Sequence, residues 1–325
     1  MVARTGATTG ASAYVKDPPD SVFASYLVRL RVSPDADARF VAYFLRSPQY
    51  WSYVRGVLGD KSAQPNASAK TLTRAELRVP PLSTQRAIAG VLGALDDKIE
   101  LNRRMNDTLE ALSRQLHTEV IRDAGSRTLG ELVLINARKR SRDFKHEQIE
   151  YVDISSVKEG HLDLASRVRL EDAPSRAQRL VADGDTIWSC VRPNRKSYAF
   201  IDSPPADRVV STGFAVLTPQ AVPAAFLYLA VTTDDFVDYL SANADGSAYP
   251  AVRPEHFERA EIPVPDAEAL HSFEAMVRPL LARMAHNDRE SQTLAELRDV
   301  LLPKLISGEL RVGDAEAAVD VAEPT

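Results

Sequence analysis

The sequence predicts an α+β protein built as a tandem repeat, in which a mixed α/β domain is each time followed by a long helix. The repeat is visible because Lys61–Pro80 matches Gly246–Pro265 without a gap, at an offset of 185 residues. Two stretches with apolar residues at steps of three and four predict the long helices. Short β-rich runs bounded by proline and glycine occupy the globular parts.

The long helices are predicted at residues 83–125 and 266–310. A hydroxyl at Ser83 or Thr84 suits the start of the first helix, where it can accept from an unpaired amide of the first turn. Gly308 suits the end of the second helix. A helix of this length with a narrow apolar stripe needs a partner, so we expect the two helices to pair antiparallel as a coiled coil.

Asn102 and Asn287 occupy equivalent positions of the repeat, near the middle of the two apolar stripes. If the helices pair antiparallel, the two asparagines are expected to meet, and a buried asparagine in such a stripe fixes the helix register. The alternative is that both side chains are solvated on the polar faces of their helices.

The globular parts are predicted at residues 1–82 and 126–265, and residues 311–325 are predicted to form a disordered acidic tail. In the second part, β-rich runs occur at Tyr151–Ile154, Asp185–Val191, Tyr198–Ile201 and Phe214–Leu217. Ala224–Leu240 has a helical pattern. The second part is therefore expected to be α+β with an irregular sheet.

Composition excludes several classes of protein. The chain has 325 residues and a net charge of −5, which argues against a uniformly basic nucleic-acid binder but leaves room for local basic surfaces. One cysteine, Cys190, excludes an intramolecular disulfide framework and a multi-cysteine zinc site. No apolar run approaches the roughly 18 residues of a membrane-spanning helix.

Three runs carry a resemblance to a known family. They are Pro80–Leu112, Leu301–Leu310 and Gly184–Ser189, together with the duplicated Ser-Ala-x-Pro loop at Ser62 and Ser247. These residues resemble the specificity subunit of type I restriction-modification systems, and the resemblance extends from Met1 to about Val312.

The resemblance implies a non-catalytic subunit with two target-recognition domains, each reading one half of a split double-stranded DNA sequence. It also implies that the paired helices act as a spacer and dock two methyltransferase subunits, to which restriction subunits are added. No cofactor is expected on this chain, because S-adenosylmethionine, ATP and magnesium are used by the partner subunits. A cytoplasmic protein without membrane contact is expected.

The repeat aligns Met1 with Ile187, so the first domain lacks counterparts of about Leu129–Thr186. We therefore expect an amino-terminally truncated first target-recognition domain. A partial domain loses strand pairings and exposes a sheet edge. On this basis, specific recognition is expected to remain with the second domain only.

Candidate DNA contacts combine side chains that can read base edges with cations that can pair with phosphates. Arginine can pair with guanine and asparagine with adenine. In the second domain, the candidates are Arg192, Asn194, Arg195, Lys196 and Tyr198 of one loop, Arg138, Lys139 and Arg140 of the densest basic run, and Tyr249 and Arg253 of the Ser-Ala-x-Pro region. In the first domain they are Arg4, Thr5, Lys61 and Gln64.

The sequence offers no catalytic constellation. The runs at Asp17–Asp20 and Ser203–Ala206 lack the asparagine and the aromatic residue of a DNA methyltransferase motif, and Gly6–Ser12 lacks the ending of a phosphate-binding loop. Cys190 lies in an apolar strand and is interpreted as a packed residue. Two alternatives stay open: a scaffold that binds partner subunits without reading DNA and, ranked third, a self-contained methyltransferase or nuclease.

Overall fold

The computed structural model describes residues 1–16, 20–58, 65–141, 143–163, 165–246 and 249–322. Two compact units are present: Met1–Leu101 with Glu290–Thr325 forms unit 1, and Asn102–Arg289 forms unit 2. Helix and sheet are mixed and the long helices are present, so the predicted α+β fold class is confirmed. Among the helices of the described residues, none is both long and apolar enough to span a bilayer.

Unit 1 is mainly helical. The two-residue strands β1 (Val2–Ala3) and β2 (Leu27–Val28) pair antiparallel. The helices that follow are α1 (Ala38–Phe44), α2 (Pro48–Leu58), α3 (Ala69–Leu72) and the first part of α4 (Leu82–Val120). The side chain of Asp37 accepts from the first-turn amides of Arg39 and Phe40, which explains where α1 begins.

The core of unit 1 packs aromatic side chains of α1 and α2 against α4 and the end of α8 (Ala267–Ser307). The α4 and α8 segments are joined here by ion pairs, from Arg298 to Asp96 at 2.7 Å and from Lys98 to Glu290 at 3.0 Å. A further helix, α9 (Val312–Ala322), adds the fully buried Ala315 to this core. The prediction of a disordered tail is therefore wrong for these residues, because an apolar contact holds them.

Unit 2 contains two four-stranded sheets. The first has the order β11-β10-β13-β4, with β4 (Val133–Ile135), β10 (Thr186–Ser189), β11 (Tyr198–Phe200) and β13 (Phe214–Pro219). The second has the order β8-β5-β12-β9, with β5 (Gln148–Val152), β8 (Ser166–Arg169), β9 (Ala177–Leu180) and β12 (Arg208–Ser211). The β-rich runs of the sequence all lie in or overlap these strands.

The described residues of unit 2 also include two small strand pairs, three short α-helices and parts of α4 and α8. The pairs are β3 (Gly125–Thr128) with β14 (Glu261–Val264), and β6 (Val157–Lys158) with β7 (His161–Leu162). The helices are α5 (Ala224–Ala230), α6 (Asp234–Ala242) and α7 (Pro254–Arg259). The single helix predicted at Ala224–Leu240 is thus two helices, because the Thr233 side chain caps α6 by accepting from the Phe236 amide.

The core of unit 2 is built around Trp188, which is fully buried and donates from its indole nitrogen to the carbonyl oxygen of Val231 at 2.8 Å. The Phe257 ring packs edge-on against it, and the Phe273 ring of α8 lies in the same cluster. This core fixes strands β10 and β11, and the loop that joins those two strands carries four of the ten DNA contacts predicted for the second domain.

Asn102 and Asn287 are both fully buried between α4 and α8 within unit 2. The Asn102 side chain donates to the carbonyl oxygen of Asn287 at 3.4 Å. The two asparagines of the repeat therefore meet in the antiparallel arrangement and are not solvated on polar faces.

Candidate nucleic-acid interface

The structure of unit 2 brings two of the predicted DNA-contact segments together. The loop after β10 makes a single 3₁₀ turn at Pro193–Arg195. The Arg192 amide donates to the carbonyl oxygen of Pro250 at 2.7 Å, and the Val252 amide donates to that of Cys190 at 2.8 Å. The β10–β11 loop and the Ser-Ala-x-Pro region are therefore one surface, which we call the composite surface, residues 190–196 and 249–253.

Arg192 and Lys196 flank the 3₁₀ turn with φ angles of +52° and +53°. This left-handed backbone is uncommon for residues other than glycine and recurs at binding sites. Asn194 and Arg195 are exposed at the tip of the turn.

An arginine–aromatic pair occupies the middle of the composite surface. The guanidinium of Arg192 lies over the ring of Tyr249, 4.7 Å from its centroid. Tyr249 is 70% exposed, so its ring is open to a ligand as well as to the arginine. Arg253 has a side chain 72% exposed and lies 3.6 Å from Asp245. Cationic and stacking groups suited to DNA are thus available here.

Lys196 is held by carboxylates of its own unit. Its ammonium lies 2.7 Å from Asp234 and 3.2 Å from Glu159. The hydrogen bonds to Asp234 and Glu159 raise the pKa of Lys196. This geometry favours Lys196 as an anchor of the loop over a phosphate contact.

The prediction that Tyr198 contacts DNA is wrong. Its side chain is fully buried, and its ring packs against Trp188 with 5.3 Å between centroids. The Tyr198 hydroxyl donates to Glu159 at 3.4 Å. Because β11 alternates its side chains between two faces, this residue points into the core although its neighbours in the loop are polar.

The basic run at residues 138–140 is divided between anchoring and exposed side chains. Arg138 donates to the buried carboxylate of Asp185 at 2.5 Å, and Arg140 donates to the carbonyl oxygen of Ala177 at 3.2 Å. The side chain of Lys139 is exposed. Of the three, Lys139 is thus the residue whose charge is most available to a phosphate.

Arg179 of β9 is a candidate that sequence reasoning missed. Its guanidinium has no hydrogen bond or ion pair within the described part of the chain, and its Nη1 is buried without a partner. Its side chain lies near Cys190, and its backbone forms a β-bridge with Lys139. No local signal marks Arg179 in the sequence, because the absence of a partner is a property of the folded unit.

In unit 1, the candidates Arg4 and Thr5 are partly buried. The backbone of Arg4 accepts from the Ala67 amide at 2.8 Å, and Thr5 forms a β-bridge with Asn66. Lys61 and Gln64 lie outside the described residues. Of the four candidates of the first domain, the structure therefore describes two. Arg4 and Thr5 both lie beside the segment Asn66–Ala67.

Catalytic and metal chemistry has little support in the described residues. No group of three or more His, Cys, Asp and Glu side chains that could hold a metal ion is found there. Burial raises the pKa of the Cys190 thiol to about 11, so the thiol is protonated and unreactive at neutral pH.

Comparison with known proteins shows which family and which relatives the chain is similar to. Residues 1–111 match the family model of the type I restriction modification DNA specificity domain. The specificity subunit of the type I restriction enzyme MjaIX from Methanocaldococcus jannaschii is 22% identical over 305 residues, which are 85% of this chain and 69% of that protein. That of the enzyme HindI from Haemophilus influenzae is 26% identical over 136 residues, 41% of this chain and 30% of its own.

A solved structure agrees in fold. The crystal structure of a type I restriction-modification S subunit from M. genitalium matches with a TM-score of 0.54 at 17% identity, covering 83% of this chain and 73% of that one. Residues 1–111 match the DNA specificity domain model, and the resemblance to specificity subunits that the sequence predicted is confirmed. The expectation of a non-catalytic recognition component is confirmed with it.

Proposed function

We propose that this chain is the sequence-specific DNA-recognition subunit of a type I restriction-modification complex. The observation that carries the proposal is the composite surface of unit 2, where Arg192, Asn194, Arg195 and Tyr249 are brought together by backbone hydrogen bonds. The family model and the names of the relatives support it.

Within this surface, base reading is assigned to Asn194 and Arg195, which are exposed at the tip of the turn. Asparagine suits adenine and arginine suits guanine in the major groove. The stacked side chains of Arg192 and Tyr249 are proposed to line the site beside the bases. The exposed Lys139 is proposed to pair with a phosphate of the DNA backbone. Of a bipartite target, only the half read by the domain in unit 2 is proposed to be recognised specifically; no specific reading is proposed for Arg4 and Thr5 of unit 1.

The long helices α4 and α8 are proposed to dock two methyltransferase subunits, and restriction subunits join through that core. This chain is proposed to bind no cofactor, with S-adenosylmethionine, ATP and magnesium used by the partner subunits. A recognition subunit without its own catalytic groups needs such partners, because it positions DNA and does not modify it. We place its action in the cytoplasm.

The test is to co-express the full chain with its methyltransferase subunits and map the methylated positions on a mixed-sequence DNA. The wild-type complex is expected to methylate a defined site. R192A combined with R195A is expected to abolish that preference, whereas R122A, which removes an exposed arginine elsewhere, is expected to leave it unchanged. An unchanged site for the double variant would remove the composite surface from recognition.

A scaffold without DNA reading is the second candidate. The observation in its favour is the buried asparagine contact between α4 and α8, since a specified helix pair is sufficient to organise partner subunits. Salt-dependent binding of duplex DNA by the methyltransferase complex separates the two, because phosphate neutralisation makes binding fall steeply with salt. A complex that assembles but binds no duplex would favour the scaffold.

A further inference from the structure

Among the described residues of unit 2, Arg179 is a partly buried cation without a partner, whereas Arg176, Arg208 and Arg278 are paired with carboxylates. Burial lowers the pKa of its guanidinium, and the side chain has no carboxylate within bonding distance in the described part of the chain. Removing a charge from water without pairing it costs free energy. The free protein therefore carries an electrostatic cost at this position.

Arg208 of the neighbouring strand shows what a structural arginine looks like in the same sheet. Strand β12 pairs antiparallel with β9, so both arginines belong to one sheet. Arg208 donates to one carboxylate oxygen of Glu150 from two nitrogens, at 2.9 and 2.5 Å, and its side chain is 16% exposed. The charge of Arg208 is compensated within the fold, whereas no side chain in the described part of the chain pairs with Arg179.

The position of Arg179 relates it to the composite surface. Its guanidinium lies near Cys190, whose carbonyl oxygen accepts from the Val252 amide. Its backbone bridges to Lys139, the exposed cation of the basic run. Arg179 therefore lies near Cys190 of the composite surface and beside Lys139 in the sheet. An anion bound beside Arg179 would compensate the guanidinium charge, which no described side chain pairs with.

We propose that Arg179 is a phosphate-binding position, which pairs with a phosphodiester oxygen of the DNA backbone when unit 2 binds its target. This inference rests on the proposed function and adds a contact to it. Arginine binds phosphate through parallel hydrogen bonds, and a pre-desolvated guanidinium has already lost part of the hydration that binding would remove. Arg179 thus lowers the stability of the free protein and contributes to DNA binding.

The first test is made on the full chain without DNA. R179M keeps the apolar stem and removes the uncompensated charge, so its melting temperature is expected to rise by roughly 2 °C or more. R208M, the matched control from the same sheet, leaves Glu150 without its partner and is expected to melt lower. A fall for R179M like that for R208M would make Arg179 a structural residue and overturn the inference.

The second test measures binding of a mixed-sequence duplex by the methyltransferase complex across a range of salt concentrations. R179M is expected to reduce the slope of log binding constant against log salt by about one, the loss of one phosphate contact, while R179K retains the slope. An unchanged slope overturns the inference, as does a changed site preference without a changed slope, which would mean a base contact. If the wild-type complex binds no duplex, the proposed function fails as well.

Discussion

The side-chain amide of Asn287 donates to Oδ1 of Asn106 at 2.7 Å, between two long helices that sequence analysis predicted to pair. Asn106 in turn donates to the carbonyl oxygen of Met284 at 3.2 Å, and Asn102 donates to that of Asn287 at 3.4 Å. A buried polar group costs free energy unless it is paired, so this cluster favours one register of α4 against α8 within unit 2.

Substitution of Asn287 by leucine is expected to leave Oδ1 of Asn106 without its donor. The free energy of unfolding of unit 2 should fall by about 1–3 kcal/mol, the usual cost of an unsatisfied buried group. The measurement is a double-mutant cycle with N106A and N287A. Coupling of roughly 0.5–3 kcal/mol is expected for residues in one network, and strictly additive effects would show that the two asparagines do not act together.

The asparagine contact was predictable because it follows from a repeat offset and a helical period, which are both properties of the printed sequence. The buried position of Tyr198 was not predictable from the sequence. Its neighbours Arg195 and Lys196 made the whole run look like an exposed loop, while the pairing of β11 with β10 turns the tyrosine into the core. Residues 312–322 also differ from the prediction, because burial of Ala315 depends on the rest of unit 1.

Lys196 is expected to position the recognition loop instead of contacting a phosphate. Its ammonium is shared by Asp234 and Glu159, and this pairing holds the backbone that presents Asn194 and Arg195. K196M is therefore expected to weaken specific DNA binding about threefold to tenfold while the salt slope stays at the wild-type value.

The control for this prediction is Lys139, whose side chain is exposed. K139M is expected to lower the salt slope by about one, as the loss of a phosphate contact does. K196R should retain most of the specific binding, because it restores a cation between the two carboxylates. If K196M lowers the slope as K139M does, Lys196 contacts phosphate directly and the positioning role is incorrect.

Acid is expected to destabilise unit 2 through His117. Its ring is buried on α4 against the rings of Phe226 and Phe273, and burial, together with the charge of Arg114, lowers its pKa from 6.5 to about 4. Because the folded state binds the proton less well than the unfolded state, stability is fully present above pH 6.5 and falls as the pH drops towards 4. The loss attributable to this one residue is at most about 3 kcal/mol.

The check uses Trp188 fluorescence in a Trp51→Phe background, so that the remaining tryptophan reports unit 2. Chemical unfolding of this variant is followed between neutral and acid pH, with and without H117Q. Glutamine does not titrate, so the acid loss should be smaller when it replaces His117. His161, whose pKa is raised mainly by its hydrogen bond to Asp288, is present in both proteins and does not affect the difference. Equal losses would show that His117 does not cause the acid sensitivity.

Helix α9 is expected to be held to unit 1 by Ala315. This side chain is fully buried, whereas Ala317, two residues later on the same helix, is exposed. A315K would bury an unpaired charge or detach the helix, so its cost is expected to exceed about 2 kcal/mol, while A317K should stay within about 0.5 kcal/mol of the wild type. Hydrogen exchange of the α9 amides measures the difference, since amides of a detached helix exchange quickly. Slow exchange in both variants would mean that the Ala315 contact does not hold the helix.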